Sequence, residues 1–509
     1  MPGGASVSPR ELKIVVASLM VGLFLSGLDS NIVATAMPTI AGKLGGFDKL
    51  TWVSTAYIVT STLATPLLGK LSDLFGRRPV YMTTITTFLV GSALCGAAGS
   101  INQLIAFRAL QGIGGGGIMA LSFAIVGDLV SPRDRGKYIG AFTSAFALSS
   151  LAGPLAGGWI VDHTNWRWIF YVNIPIGIGV LIVTSVVLKL PFSRIDAKID
   201  VLGATLMSAA IVSVLMALEF GSDHGWSSPE IIGLFILSVV LTGAFWMQEK
   251  RASEPMIPPR LMRNKVVVVS CILGFLMGTT MYGASIYFSV FFQDVRFISP
   301  TLSGLMSLPI MIGVLFASTF VGRRISATGR YKRFPIVGLA IMSVGVATIA
   351  HVIGPSTGYA RIGLGMLCIG GGMGFALPTT SIASQNAVGM RDLGIATATV
   401  TFFRSLGGSV SLAIYGTVFN TKLSQELMRR VPKSSGQSGR DLTTLIRAPK
   451  QIKALEKPLR DAVTASISAG VGRVFLVALP FTLVAFALSW RLEEIPLRST
   501  GGMSTASLE

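Results

Sequence analysis

Runs of about twenty mainly apolar residues recur fourteen times along this chain of 509 residues, and nothing else in it limits the possible folds so much. A run of that length can cross the hydrocarbon core of a bilayer as a helix. In lipid, only helices and closed barrels satisfy the backbone hydrogen bonds. The runs cover approximately 13–38, 51–69, 79–99, 101–126, 137–160, 168–190, 201–219, 230–247, 266–292, 302–321, 334–353, 361–386, 394–419 and 470–490. The connections are short except for 420–469, which holds "VPKSSGQSGR" and then the charged piece "APKQIKALEKPLRDAV". The expected class is an all-α polytopic membrane protein.

Charge is scarce, at 13% of residues against about 25% in soluble domains. The net charge of +19 does not point to nucleic acid, because Lys and Arg are scattered between the apolar runs rather than gathered in a stripe. Their placement sets orientation instead. The short connections on the N-terminal side, with both tails, hold 24 Lys and Arg. Those on the other side hold five: Lys43, Lys49, Arg167, Arg296 and Arg361. The positive-inside rule then puts both termini and the 70–78 loop in the cytoplasm. The 420–469 loop, expected outside, runs against the bias with ten Lys and Arg. The first run is too long for a cleavable signal and no small-residue cleavage site follows it, so it is expected to stay as a span.

Several classes drop out. Cys95, Cys271 and Cys368 stand singly in apolar runs, and His163, His224 and His351 are scattered, so no metal site or disulfide framework is indicated. The four glycines at 114–117 are not followed by the Lys-Ser/Thr of a phosphate-binding loop. No nucleophile–base pair is evident. Neither an enzyme nor a cofactor is expected.

Charges also lie inside the runs. Asp29 stands in "FLSGLDSNIVATAMP", and Arg108 in "LIAFRALQG" of the fourth run. A charge near the bilayer centre costs roughly 2.5–3.5 kcal/mol even on the lenient insertion scale. A buried pair of opposite sign is cheaper than two lone ions. Such a pair can be a fixed strut between helices. It can also be a proton site, since burial and a neighbouring guanidinium push a carboxylate's proton affinity in opposite directions. Arg404, in "FFRSLGG", is a third intramembrane charge that could meet an anionic group or a helix C-terminus.

After the second run comes "GKLSDLFGRRPV", Gly69 to Val80, and after the tenth "GRRISATGRYKR", Gly322 to Arg333. Each has Gly, then Gly-Arg seven residues on, with Ser326 in the place of Asp73. A recurrence of this kind suggests two parallel six-helix halves.

With these marks the chain resembles the major facilitator superfamily, and within it the fourteen-spanner drug:proton antiporter family of multidrug exporters. The resemblance rests on "LDSNIVATAMP" in span 1, "GKLSDLFGRRPV", "RALQGIGGGG" from Arg108, "SSLAGPLAGG" from Ser149, and "WRWIFYVNIPIG" from Trp166. It implies an N-terminal bundle over 1–190, an inserted helix pair with linkers over 191–265, a C-terminal bundle over 266–490, and a cytoplasmic tail over 491–509. It implies proton coupling through Asp29 and Arg108, and a gating loop of Gly69, Asp73, Gly76, Arg77 and Arg78 that pairs with Asp128 and with "SPRDRGK" after span 4. It also implies an antiporter motif at Gly153, Pro154, Gly157 and Gly158, where the bundles meet, which favours export over uptake. The polar and aromatic residues Asn31, Trp52, Tyr57, Gln111, Asn173, Tyr282, Asn386, Phe403 and Arg404 are candidates for a substrate path.

The expected function is proton-coupled export of amphipathic small molecules. The competing readings are transport of one defined solute, such as a basic amino acid, a siderophore or a biosynthetic product, and a non-transporting scaffold or sensor. Expected partners are a small-molecule substrate, protons and the lipid bilayer, with a periplasmic adaptor as an open addition. The absence of any Asn-x-Ser/Thr sequon and the short N-terminal tail favour a bacterial cytoplasmic membrane.

Overall fold

The computed structural model describes residues 8–44, 50–130, 132–188, 200–253, 255–389, 392–430 and 449–497. Among them there are long helices and no strand. The fourteen principal helices are α1 (Pro9–Leu44), α2 (Leu50–Phe75), α3 (Arg77–Ala97), α4 (Ile101–Leu129), α5 (Pro132–His163), α6 (Asn173–Val187), α7 (Val201–His224), α8 (Pro229–Glu249), α9 (Lys265–Val290), α10 (Leu308–Thr328), α11 (Arg333–Val352), α12 (Tyr359–Asn386), α13 (Leu393–Arg430) and α14 (Lys457–Ser489). A π-helical turn, Phe291–Val295, continues α9, and short helices precede α6, α9, α10 and α14.

The starts follow local chemistry. Ser100 caps α4 through the Gln103 N–H, Asp200 caps α7 through Gly203, and Asn264 caps α9 through Val266 and Val267. These side chains take up donors that a helix start leaves free. Between α2 and α3 the chain turns on Gly76 at φ 95°, and α10 ends on Gly329 at φ 70°. These are the second glycines of the two loop copies, so the repeat in the sequence is a repeated turn in space.

Eleven described helices are long and apolar enough to cross a membrane by length and composition. The others among the fourteen are α2, α5 and α13. These three pack between the two halves, α2 on α13 and α5 on α10. A helix that faces another bundle instead of lipid can keep a polar face, which is why their hydropathy falls short.

Helices α1–α6 pack on one another, as do α9–α14. The inserted pair α7–α8 stands outside both bundles. Helix α7 lies across the α2–α13 seam, with Met207, Ile211 and Leu215 packed against Val59, Leu63, Phe402 and Leu406. Trp52 of α2 meets Phe220 of α7 at a ring distance of 5.3 Å.

The expected 420–469 loop is shorter than its sequence suggested. Helix α13 continues to Arg430, held by Glu426 with Lys422, Arg429 and Arg430 at 2.8–3.0 Å, and α14 begins at Lys457. Polar residues ended the apolar run but not the helix. Residues 431–448 lie outside the described residues. After α14 the segment 491–497 returns to the second loop copy. Tyr331 N–H donates to Glu494 at 2.9 Å, and Asn386 Nδ2 donates to the carbonyls of Ile495 and Pro496 at 3.0 and 3.3 Å.

Candidate functional site

Four consecutive glycines make the first half compact enough to bury charge. A Cβ on Gly114 would stand 2.6 Å from Thr84 O of α3, and one on Gly116 would run into Ser61 O of α2. Helix α4 is thereby pressed between α2 and α3, as small residues allow in membranes.

At that level Arg108 of α4 meets Asp29 of α1, Nη1 to Oδ2 at 2.5 Å. Gln111 Nε2 and Asn173 Nδ2 both donate to Asp29 Oδ1 at 2.8 Å. Arg108 also donates to Gln111 Oε1 at 2.7 Å, and its guanidinium lies over the Tyr57 ring, 4.2 Å from the centroid. Asn173 Nδ2 also donates to Ser92 Oγ at 3.0 Å. Asp29 is 0% exposed and Arg108 1%. Three residues expected along a substrate path, Tyr57, Gln111 and Asn173, are therefore partners of the charge pair. Ser92 was not anticipated, and its small hydroxyl in an apolar run leaves little trace in a sequence.

The loop motif forms a second charged cluster at the opposite end of α4. Arg77 is ion-paired with Asp73, and its Nε reaches Asp128 Oδ2 at 2.6 Å. Arg77 Nη1 also donates to Ser72 Oγ at 2.6 Å, and Arg78 donates to Ser185 O of α6 at 2.5 Å. One guanidinium thus serves two carboxylates. Asp73 lies past the apolar stretch of α2, and burial pushes its carboxyl up to about 6, against the pull of Arg77 and with the push of Asp128. Of "SPRDRGK", Arg135 turns back onto the end of α4, donating to Val130 O at 3.0 Å and to Gly127 O.

The start of α13 rests on this cluster. A Cβ on Gly394 would collide with Arg77 and Asp73, and one on Gly69 would stand 2.5 Å from Ala398 Cβ. Nearby, Gln385 Nε2 of α12 donates to Phe123 O of α4 at 3.3 Å and to Thr397 of α13 at 3.1 Å. Ser144 of α5 and Ser318 of α10 are 3.2 Å apart. The two halves are thus joined at the end of the molecule that carries the loop motif. Gln385 was not singled out in the sequence. Its neighbour Asn386, which was, faces the C-terminal segment instead.

The span-5 glycines point into their own bundle: Gly153 and Gly157 pack against Asn31 and Ile32 of α1, next to Asp29. Contact of α5 with the other half includes Gly140 and Ser144, earlier on the helix, and the short helix before α10. The ring of Pro154 lies outside the described residues, and Gly158 is carried by α5. Asn31 Nδ2 donates to Gly27 O at 2.7 Å within α1. Phe403 packs with α7, on the seam. Tyr282 lies with its ring against Gly408. Arg404 is 6% exposed.

A family model described as Major Facilitator Superfamily matches residues 19–412. The Multidrug transporter protein MdtP of Bacillus subtilis is 37% identical over 80% of this chain and 75% of its own. Multidrug resistance protein 3 of the same organism is 34% identical over 94% of both chains. Among solved structures, the proton:xylose symporter XylE superposes with a TM-score of 0.64 over 95% of this chain and 96% of its own, at 14% identity.

Proposed function

From the premise that the chain belongs to the major facilitator superfamily, and is therefore a multi-pass membrane transporter and not an enzyme, we propose that it exports amphipathic small molecules in exchange for protons by alternating access. The observation that carries this reading is the Asp29–Arg108 pair with its Gln111 and Asn173 donors. A titratable acid held between four helices can lose or gain its proton only when those helices part. That ties protonation to conformation. The clasp of Asp73, Arg77 and Asp128 beneath α13 supplies the complementary element, a charged latch at the junction of the halves. With the loop motif on the cytoplasmic side, as the Lys and Arg distribution favours, the junction of the halves at that end supports a state closed toward the cytoplasm.

The names of the two Bacillus relatives support drugs as the substrate class, and the reading extends to fourteen spans in a bacterial cytoplasmic membrane with both termini inside. The test is substrate-induced proton release from reconstituted vesicles under an imposed pH gradient. Release in the wild type and its loss in Asp29→Asn is the expected result. Transport that is indifferent to the gradient overturns the proposal.

A further inference from the structure

Most buried charges here have partners. Asp29 holds Arg108, Arg77 holds Asp73 and Asp128, Arg135 holds two carbonyls, and Glu426 holds three cations. Glu249 accepts the Met256 and Ile257 N–H groups at 3.1 and 3.0 Å, and Lys70 is also engaged. Arg404 is different. It is 6% exposed, yet among the described residues it makes no hydrogen bond and no ion pair.

Its depth removes the usual escape. Arg404 lies eleven residues from the start of α13 at Leu393. At a rise of 1.5 Å per residue that is about 16 Å, half of the roughly 30 Å hydrocarbon core. From there a guanidinium does not reach either interface. Burying an unpaired charge is costly, and the desolvation is not recovered without a partner.

Close helix packing holds the Arg404 backbone in place. Gly274, Gly278, Gly407 and Gly408 bring α9 and α13 into contact, and Gly278 lies directly on the Arg404 carbonyl. The ring of Tyr282 lies against Gly408, one turn beyond Arg404. Tyr282 is only partly buried. Among the described residues no carboxylate is ion-paired with the Arg404 fork of five N–H donors, and Arg is the side chain suited to carboxylate and phosphate geometry.

We propose that Arg404, with Tyr282, recognises a single anionic group, a carboxylate, sulfonate or phosphate, on the amphipathic molecule the protein exports. Among the described residues, the mid-depth charges Asp29 and Arg108 of the first half cancel, and Arg404 of the second half has no such counterpart. A substrate with one negative charge completes the set. This inference rests on the exporter reading above and narrows its substrate class.

The test uses two probes that share a pyrene ring and a four-carbon arm, pyrenebutyrate and pyrenebutylammonium. Binding to purified full-length protein is followed by fluorescence, and uptake into reconstituted vesicles by the same signal with a pH-sensitive dye alongside. The expected result is tighter binding of the anion by the wild type. In Arg404→Gln the ratio of anion to cation affinity falls at least tenfold, and Arg404→Lys lies between. Thermal unfolding separates recognition from a structural role. If Arg404 is unpaired in the empty protein, Arg404→Met unfolds at a higher temperature than the wild type. A lower unfolding temperature for Arg404→Met, or an unchanged affinity ratio in Arg404→Gln, overturns the proposal. If the cation alone is bound and exchanged for protons, the exporter reading stands and the anionic class falls. If neither probe binds or moves, both fall.

Discussion

Asp29 and Arg108 are 79 residues apart in the chain and 2.5 Å apart in space, and Gln111, one turn beyond Arg108, bonds to both. The pair is therefore a three-residue unit, and a change at one member is felt by the others.

Replacing Asp29 by Asn keeps the size and removes the titration. Arg108 then loses its counter-charge, the costlier half of breaking a buried pair. Substrate-driven proton release should drop at least tenfold while downhill substrate movement continues. Asp29→Glu should retain part of the exchange with a shifted pH optimum. Proton release at the wild-type rate in Asp29→Asn would reduce the residue to a strut.

The clasp has a pH sense whose sign follows from Asp73. Its carboxyl, near 6 in the closed arrangement, has an ordinary value of 3.8. Against an open arrangement with that ordinary value, the closed arrangement binds the proton more tightly, so its preference is full below 3.8 and is lost as pH rises to about 6, by about 3 kcal/mol in all, because each tenfold difference in proton affinity is worth about 1.4 kcal/mol. A cysteine at Ala398, which packs on Gly69 in this state, should be labelled more slowly at pH 5 than at pH 7.5 in a cysteine-free background. Each rate is divided by that of the unfolded protein at the same pH. Asp73→Asn should abolish the difference and slow transport, with expression unchanged.

Packing at the glycine run predicts a sharp contrast between sites. A Cβ on Gly116 meets α2 backbone, so Gly116→Ala should destabilise by about 1–3 kcal/mol. A Cβ on Gly233 of α8 meets nothing within 4 Å, so Gly233→Ala should be neutral or slightly stabilising. Thermal unfolding of the two variants in detergent checks this. Equal midpoints would mean that the close approach of α4 to α2 does not persist.

Orientation is checked at exposed residues. Ser253 lies at the end of the molecule that carries the loop motif and Ser356 at the other, and both are exposed. Ser72 is unsuitable as a label site because it is 1% exposed and bonded to Arg77. In intact cells Ser356→Cys should react with an impermeant reagent, and Ser253→Cys only after permeabilisation. The reverse pattern would invert the topology.

Much of this was legible in the sequence. Each apolar run became a helix, because twenty apolar residues in lipid have few alternatives. The charge pair was legible because Asp29 and Arg108 are costly where they stand. The loop repeat was legible because Gly76 and Gly329 occupy backbone conformations that other residues resist. Other features were hidden for physical reasons. The reach of α13 to Arg430 depends on ion pairs around Glu426 that apolarity does not register. Gln385 bridges the halves only once α4, α12 and α13 are assembled, so nothing local marks it. Asn386 has the same polarity but turns toward the chain's end, and composition cannot tell the two apart.

Helix α7 gives the molecule a back and a front. It lies over the α2–α13 seam from Trp52 at one end to Met207 at the other, so that flank is walled by protein. On the α5–α10 flank, Phe316 and Phe320 of α10 are exposed beside the junction at Ser144 and Ser318. One seam between the halves is thus covered by a helix that belongs to neither bundle, while the other, equally closed by α5 against α10, carries exposed aromatic side chains beside it.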